Sequence, residues 1–131
     1  MTKKELSQLY WLNREIERDR KKLLELEQAA SSGTAKLTGM PPIGGAGRTV
    51  EVYGILLAEQ QELIDAKTRQ CMIEYNRLNR YIASVEDSLM RQILELRYVN
   101  GLNWTQVAMS IGGNNTADSV RKAHDRFLKQ N

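Results

Sequence analysis

The sequence predicts an all-α protein: a long N-terminal helical hairpin followed by a C-terminal trihelical helix-turn-helix unit. Three observations predict it. Apolar residues recur at steps of three and four over two long segments, 3–30 and 49–82. Helix-breaking residues collect in two places, "SSGTAKLTGMPPIGGAGR" (31–48) and "GGNN" (112–115). From Ser84 onward, short apolar-patterned segments are each bracketed by a capping residue and a glycine.

The first helix is expected from Lys3 to Ala30. Leu9, Leu12, Ile16, Leu23 and Leu26 form a narrow apolar stripe, interrupted by Asp19, on a segment otherwise charged on its other faces. Such a stripe needs a partner helix, in the same chain or in a second copy. The segment 31–48 has no periodic apolar face and reads as a long loop, which Leu37, Met40 and Ile43 can pin to a neighbour. A second helix is expected over 49–82. There Val50, Leu57, Ile64, Cys71, Leu78 and Val85 recur every seven residues, with Gln60, Lys67 and Glu74 on the weaker side of the seam. An antiparallel hairpin of the two helices covers both stripes but leaves Leu56, Leu63 and Tyr75 partly exposed. That remainder predicts a homodimer through the long helices, so residues 1–83 read as the oligomerisation region.

Residues 84–131 read as a second domain. Ser84 followed by Asp87 resembles a capping box opening a helix with Leu89, Ile93 and Leu96 on one face, closed by Gly101. Asn103 then caps a short helix in which Trp104, Val107, Ala108 and Ile111 point one way. Gly112 and Gly113 stop it, and Asn115 or Thr116 starts a last helix with Val120, Ala123 and Phe127 inward. Three helices of about 14, 8 and 14 residues make a compact unit whose last two form a helix-turn-helix. Ala108 sits where the two must approach closely, Gly112 where the turn needs a positive φ, and Val120 where a β-branched plug fits.

Composition narrows the function classes. A chain of 131 residues with 41% hydrophobic and 27% charged residues is ordinary globular composition. It has no run of about 18 apolar residues to span a membrane and no apolar signal-peptide core, so a cytoplasmic location is expected. One cysteine and one histidine cannot supply the usual structural zinc cluster, and no cofactor or metal is expected. Cys71 and His124 have no catalytic motif around them. "PIGGAGRT" (42–49) fails as a phosphate-binding loop: Pro42 replaces the first glycine and Arg48 the lysine, and no strand pattern precedes it. The expectation is therefore not an enzyme.

Net charge is +3 and the sequence pI about 9.1. In the last helix Arg121, Lys122, Arg126 and Lys129 outweigh Asp118 and Asp125, an electrostatic footprint suited to phosphates. With Val120, Ala123 and Phe127 inward, a step of 100° per residue puts Asp118, Lys122, Asp125 and Lys129 outward, with Arg121 and Arg126 at the edges. Asp118, Ser119 and Lys122 are the candidates for base edges, Arg121 and Arg126 for bases or phosphates, and Asn115 and Thr116 for a phosphate at the helix N-terminus.

The stretch "RQILELRYVNGLNWTQVAMSIG", with "SVRKAHDRFL" after it, resembles region four of bacterial sigma factors. The layout as a whole is similar to the ArpU-type phage regulators of late (packaging and lysis) genes: a charged N-terminal helix, a loop containing "LTGMPP", a long second helix and a terminal helix-turn-helix. The resemblance is specific over about residues 84 to 128. It implies binding of double-stranded DNA, and backbone contacts by Arg97, Thr105 and Gln106. Since one such module cannot open a promoter alone, activation implies either recruitment of bacterial RNA polymerase or an accessory role. One departure stands out: Val120 follows Gly112 by eight residues where sigma-type units use six, so "GGNN" lengthens the turn. Two alternatives share the pattern. Small terminase subunits join such a unit to oligomerising helices and grip packaging DNA, and a helical interaction module would bind protein with its terminal unit.

Overall fold

A computed structural model describes residues 1–32 and 46–130, and all of its elements are helical. The expected pinning residues Leu37, Met40 and Ile43 lie outside the described residues. In chain order the elements are α1 (Lys3–Leu6), α2 (Gln8–Ser32), α3 (Ala46–Ser84), α4 (Ser88–Leu94), a π-helical turn (Glu95–Val99), α5 (Trp104–Ile111) and α6 (Ala117–Gln130). Both long helices extend past their expected ends, and α3 runs for 39 residues. The expected first helix is broken at Ser7, whose hydroxyl donates to the Lys3 carbonyl at 2.8 Å and competes with the helix ladder. A Thr2–Glu5 capping box holds the start of α1.

The chain divides into two compact units, Met1–Asn13 with Cys71–Asn131, and Arg14–Gln70. The division does not fall at the expected 83/84 boundary. The reason is the core of the first unit, where Leu6 and Leu9 from the N-terminus and Leu78, Ile82 and Val85 join Met90, Ile93, Leu94, Tyr98, Val107, Ala108 and Val120. Residues 84–131 therefore do not close their own core. Arg77 ties the N-terminus down, donating to the Glu5 carbonyl at 3.2 Å while pairing with Glu74 at 2.6 Å. Cys71 is half-buried, its thiol donating to Asn13 at 3.1 Å, and burial pushes its pKa up.

In the second unit Ile16, Tyr53 and Ile64 are buried, and so is Asp19, with 4% of its surface exposed. A carboxylate that deep needs a partner, and Lys67 supplies it at 2.6 Å, while Gln60 donates to the Asp19 backbone carbonyl at 2.8 Å. Lys67 also reaches Glu15 at 3.1 Å, and its hydrogen bond to Asp19, then that to Glu15, raises its pKa. Val50, expected in the seam, is 73% exposed.

The corner into α4 departs from the expected capping box. The Ser84 hydroxyl donates backward to Tyr81 at the end of α3, and Asp87 is the cap, accepting from the Leu89 amide at 3.2 Å. Arg91 clamps the corner from the other side through the carbonyls of Val85 (2.6 Å) and Glu86 (2.9 Å). Leu89 is exposed at 41%, and the buried face is carried by Met90, Ile93 and Leu94. The expected single helix to Gly101 loosens into the π-helical turn, with the Asn100 amide bonded to Glu95 and that of Leu102 to Leu96. Gly101 then reverses the chain at φ +70°.

Candidate nucleic-acid interface

Asn103 caps α5 through a capping box with Gln106, as its position before the apolar periodicity predicts. Inside α5, Val107 is fully buried and Ala108 is 5% exposed, against Val120 of α6 at 2%. Helix α4 packs on both α5 and α6, and these two pack on each other. The turn between them uses Gly112 at φ +76° and Gly113 at φ +67°, a backbone region that side chains rarely tolerate. Asn115 donates to the Gly112 carbonyl at 2.9 Å and so holds the lengthened turn. Thr116 caps α6: its hydroxyl accepts from the Ser119 amide at 3.1 Å, and the Ser119 hydroxyl accepts from the Thr116 amide at 2.9 Å.

These bonds qualify several of the expected contacts. The Ser119 hydroxyl also donates to the Thr116 carbonyl at 3.0 Å, so its one proton is engaged within the cap. Arg97 is half-buried, donates to the Leu102 carbonyl at 3.0 Å and lays its guanidinium over Trp104 at 4.5 Å. Thr105 and Gln106 are exposed on the first turn of α5.

On α6, Asp118, Arg121, Lys122, Arg126 and Lys129 are all exposed. Asp118 sits between two cations, Arg121 at 2.6 Å and Lys122 at 3.1 Å. The hydrogen bonds from Arg121 and then Lys122 hold its carboxyl below the usual range. Arg126 and Lys129 form no ion pair among the described residues. Ser119, Lys122, Asp125 and Arg126 line one pocket on this side of the helix.

Asp125, which lines that pocket, is also engaged by neighbours. It is partly buried, pairing with Lys3 at 3.2 Å and with the Nδ1 of His124 at 3.0 Å, and these contacts lower its pKa, His124 first. His124 is the residue that the apolar stripe missed. It has no exposed surface and packs beside Trp104 (centroids 4.8 Å apart) and Tyr98 (5.5 Å). Burial lowers its pKa, while burial of Tyr98 pushes that phenol up to about 12. The phenol therefore keeps its proton and donates to Nε2, leaving the Nδ1 proton for Asp125. The missed signal was the i, i+4 step from Val120 to His124, obscured because an imidazole carries a polar label.

Among the described residues no group of His, Cys, Asp or Glu is placed to hold a metal ion, and no helix is long and apolar enough to cross a membrane. Comparison with protein-family models, with curated proteins and with solved structures gave no match.

Proposed function

We propose that this chain binds double-stranded DNA sequence-specifically, with α5 and α6 as a helix-turn-helix and α6 in the major groove, as a phage-type regulator of late genes. The observation that carries this reading is the exposed cationic side of α6, with Lys122, Arg126 and Lys129, on a helix whose opposite side is fixed by Val120 and His124. A recognition helix needs both: a rigid seat and a free polar face. The positive-φ glycine turn and the burial of Ala108 in the shared core support the same reading.

In this reading Lys122 reads a guanine edge once it exchanges Asp118 for the base, and Arg126 and Lys129 hold phosphates. Arg97 serves the interface by fixing the entry to α5, and Thr105 and Gln106 meet the backbone beside it. Two copies joined through the long helices would present two such units, and transcription would then require recruited bacterial RNA polymerase.

The test is selection of genomic fragments of a phage by the purified protein, followed by titration against salt. One site upstream of late genes is expected. Arg126→Ala should weaken all sequences alike and flatten the salt slope by roughly one unit. Lys122→Ala should cost about 1–3 kcal/mol and relax base preference. Variants that bind every sequence as the parent does overturn the assignment of α6.

A further inference from the structure

We propose that a second surface, remote in kind from the exposed side of α6, is a docking cleft for an acidic peptide segment that carries an aromatic or aliphatic side chain. The cleft, about 710 Å³, lies in the first compact unit and is bordered by the start of α1, the first turn of α2, the π-helical turn and the start of α5.

Its lining has two properties that together name the occupant. Lys3, Lys4 and Arg97 are its charged residues, and no carboxylate is among the lining side chains. Tyr10, Trp11 and Trp104 supply its apolar wall, and Trp11 is 58% exposed. Trp, Tyr and Arg around a concavity are the residue types that carry most protein–protein binding energy. Lys3 pairs with Asp125 at 3.2 Å, whereas Lys4 and Arg97 form no ion pair among the described residues, and cations left without a complement select a partner of the opposite sign.

The wall is also pre-organised, which reduces the cost of ordering it on binding. Arg97 is held by the Leu102 carbonyl at 3.0 Å and by the Trp104 ring at 4.5 Å, and Trp104 is backed by buried His124 at 4.8 Å.

Nucleic acid fits the same cations less well. A single strand binds by laying bases on open, parallel aromatic faces. Here Tyr10 and Trp11 meet edge-on at 5.0 Å and 79°, and Trp104 already carries a guanidinium. A duplex offers phosphates but nothing for two indoles to cover. A peptide satisfies both parts of the lining, its apolar side chain entering between the rings and its carboxylates meeting Lys4 and the edge of Arg97.

The probe is a random peptide library selected against the intact protein, with binding followed by tryptophan emission. Trp11 and Trp104 are the chain's two tryptophans and both line the cleft, so emission reports on it directly. The expected result is a selected set with one aromatic or aliphatic residue flanked by Asp and Glu, whose binding shifts the emission and weakens with salt. Trp11→Ala and Lys4→Glu, both at exposed positions, should each weaken binding about thirtyfold without moving the melting temperature. Four results overturn the proposal: a selected set without acidic residues; no selected set at all; peptides that bind both variants as well as the parent; or an oligonucleotide that shifts the emission and displaces the peptide. Because the readout is peptide binding, loss of duplex binding through α6 would leave this result standing.

Discussion

At the scale of single residues, His124 gives the clearest prediction. It is the neutral centre of a buried array, with Tyr98 from the π-helical turn on one nitrogen, Asp125 on the other, and Lys3 of α1 beyond Asp125. Burial, aided by the charges of Lys3 and Arg97, holds its pKa below the ordinary 6.5 against the pull of Asp125. Between that lowered value and 6.5 the unfolded chain binds more protons than the folded one. Stability should therefore be complete above pH 6.5 and fall as pH drops through the window, by at most about 1.4 kcal/mol per pH unit. Melting curves between pH 7.5 and 5 check this, and His124→Phe should flatten the profile while lowering its plateau. Asp118 gives a second prediction. It offsets half of the charge of Arg121 and Lys122 in the free protein, so Asp118→Asn should raise non-specific DNA affinity and steepen its salt dependence. Fluorescence anisotropy with a random duplex decides it, and an unchanged affinity would mean that these cations do not face the phosphates. Ala108→Leu is the packing counterpart: with 5% of Ala108 exposed beside fully buried Val107, the larger side chain should cost about 1–3 kcal/mol in a thermal melt.

At the scale of elements, the long helices explain what the sequence could and could not reveal. Two columns of α3 turn inward. One is the apolar Leu57, Ile64, Cys71, Leu78 series that hydrophobic periodicity finds; the other is Tyr53, Gln60, Lys67, Glu74 and Tyr81, all buried or half-buried as well. The seven-residue repeat puts Gln60, Lys67 and Glu74 on the weaker side of the seam, but a hydrophobicity pattern gives no reason for these three polar members to be inside, which depends on partners such as Asp19. The same polar label hid His124 from the apolar stripe. By contrast, the Asn103 cap, the span of α5 and the positive φ of Gly112 were legible, since each follows from local backbone chemistry within a few residues. The π-helical turn and the inclusion of Leu6 and Leu9 in the C-terminal core were not, because they depend on contacts distant in sequence. The buried pair itself is testable. Lys67→Met leaves Asp19 buried without its cation and should cost about 3 kcal/mol, whereas Asp19→Leu with Lys67→Leu together should recover most of that loss. If the double variant melts as low as the single one, the pair stabilises through more than its charges.

At the scale of the whole molecule, the open question is what covers the apolar side chains that neither compact unit buries. Met72 (62% exposed), Ile73 (65%) and Tyr75 (48%) leave the first unit uncovered, and Ile55 (58%) and Leu63 (43%) the second. Leu63 and Tyr75 were expected on the uncovered side of the seam; Ile55 and Ile73 were not. Apolar surface of this kind on a charged helix marks a partner site, and a second copy in a two-fold arrangement is the commonest occupant. Self-association through α3 is therefore predicted for the intact chain. Ile73→Glu with Met72→Glu should abolish it without lowering the melting temperature, because neither side chain belongs to a core. Sedimentation velocity with and without the substitutions measures both the state and its dependence on this face. A dimer that dissociates in the variant fits paired operator half-sites spaced by whole turns of DNA. A monomeric parent would refute the association outright, and a closed ring of many copies would replace the late-gene regulator with the packaging reading, since a ring encircles or lines DNA and a dimer clasps one site.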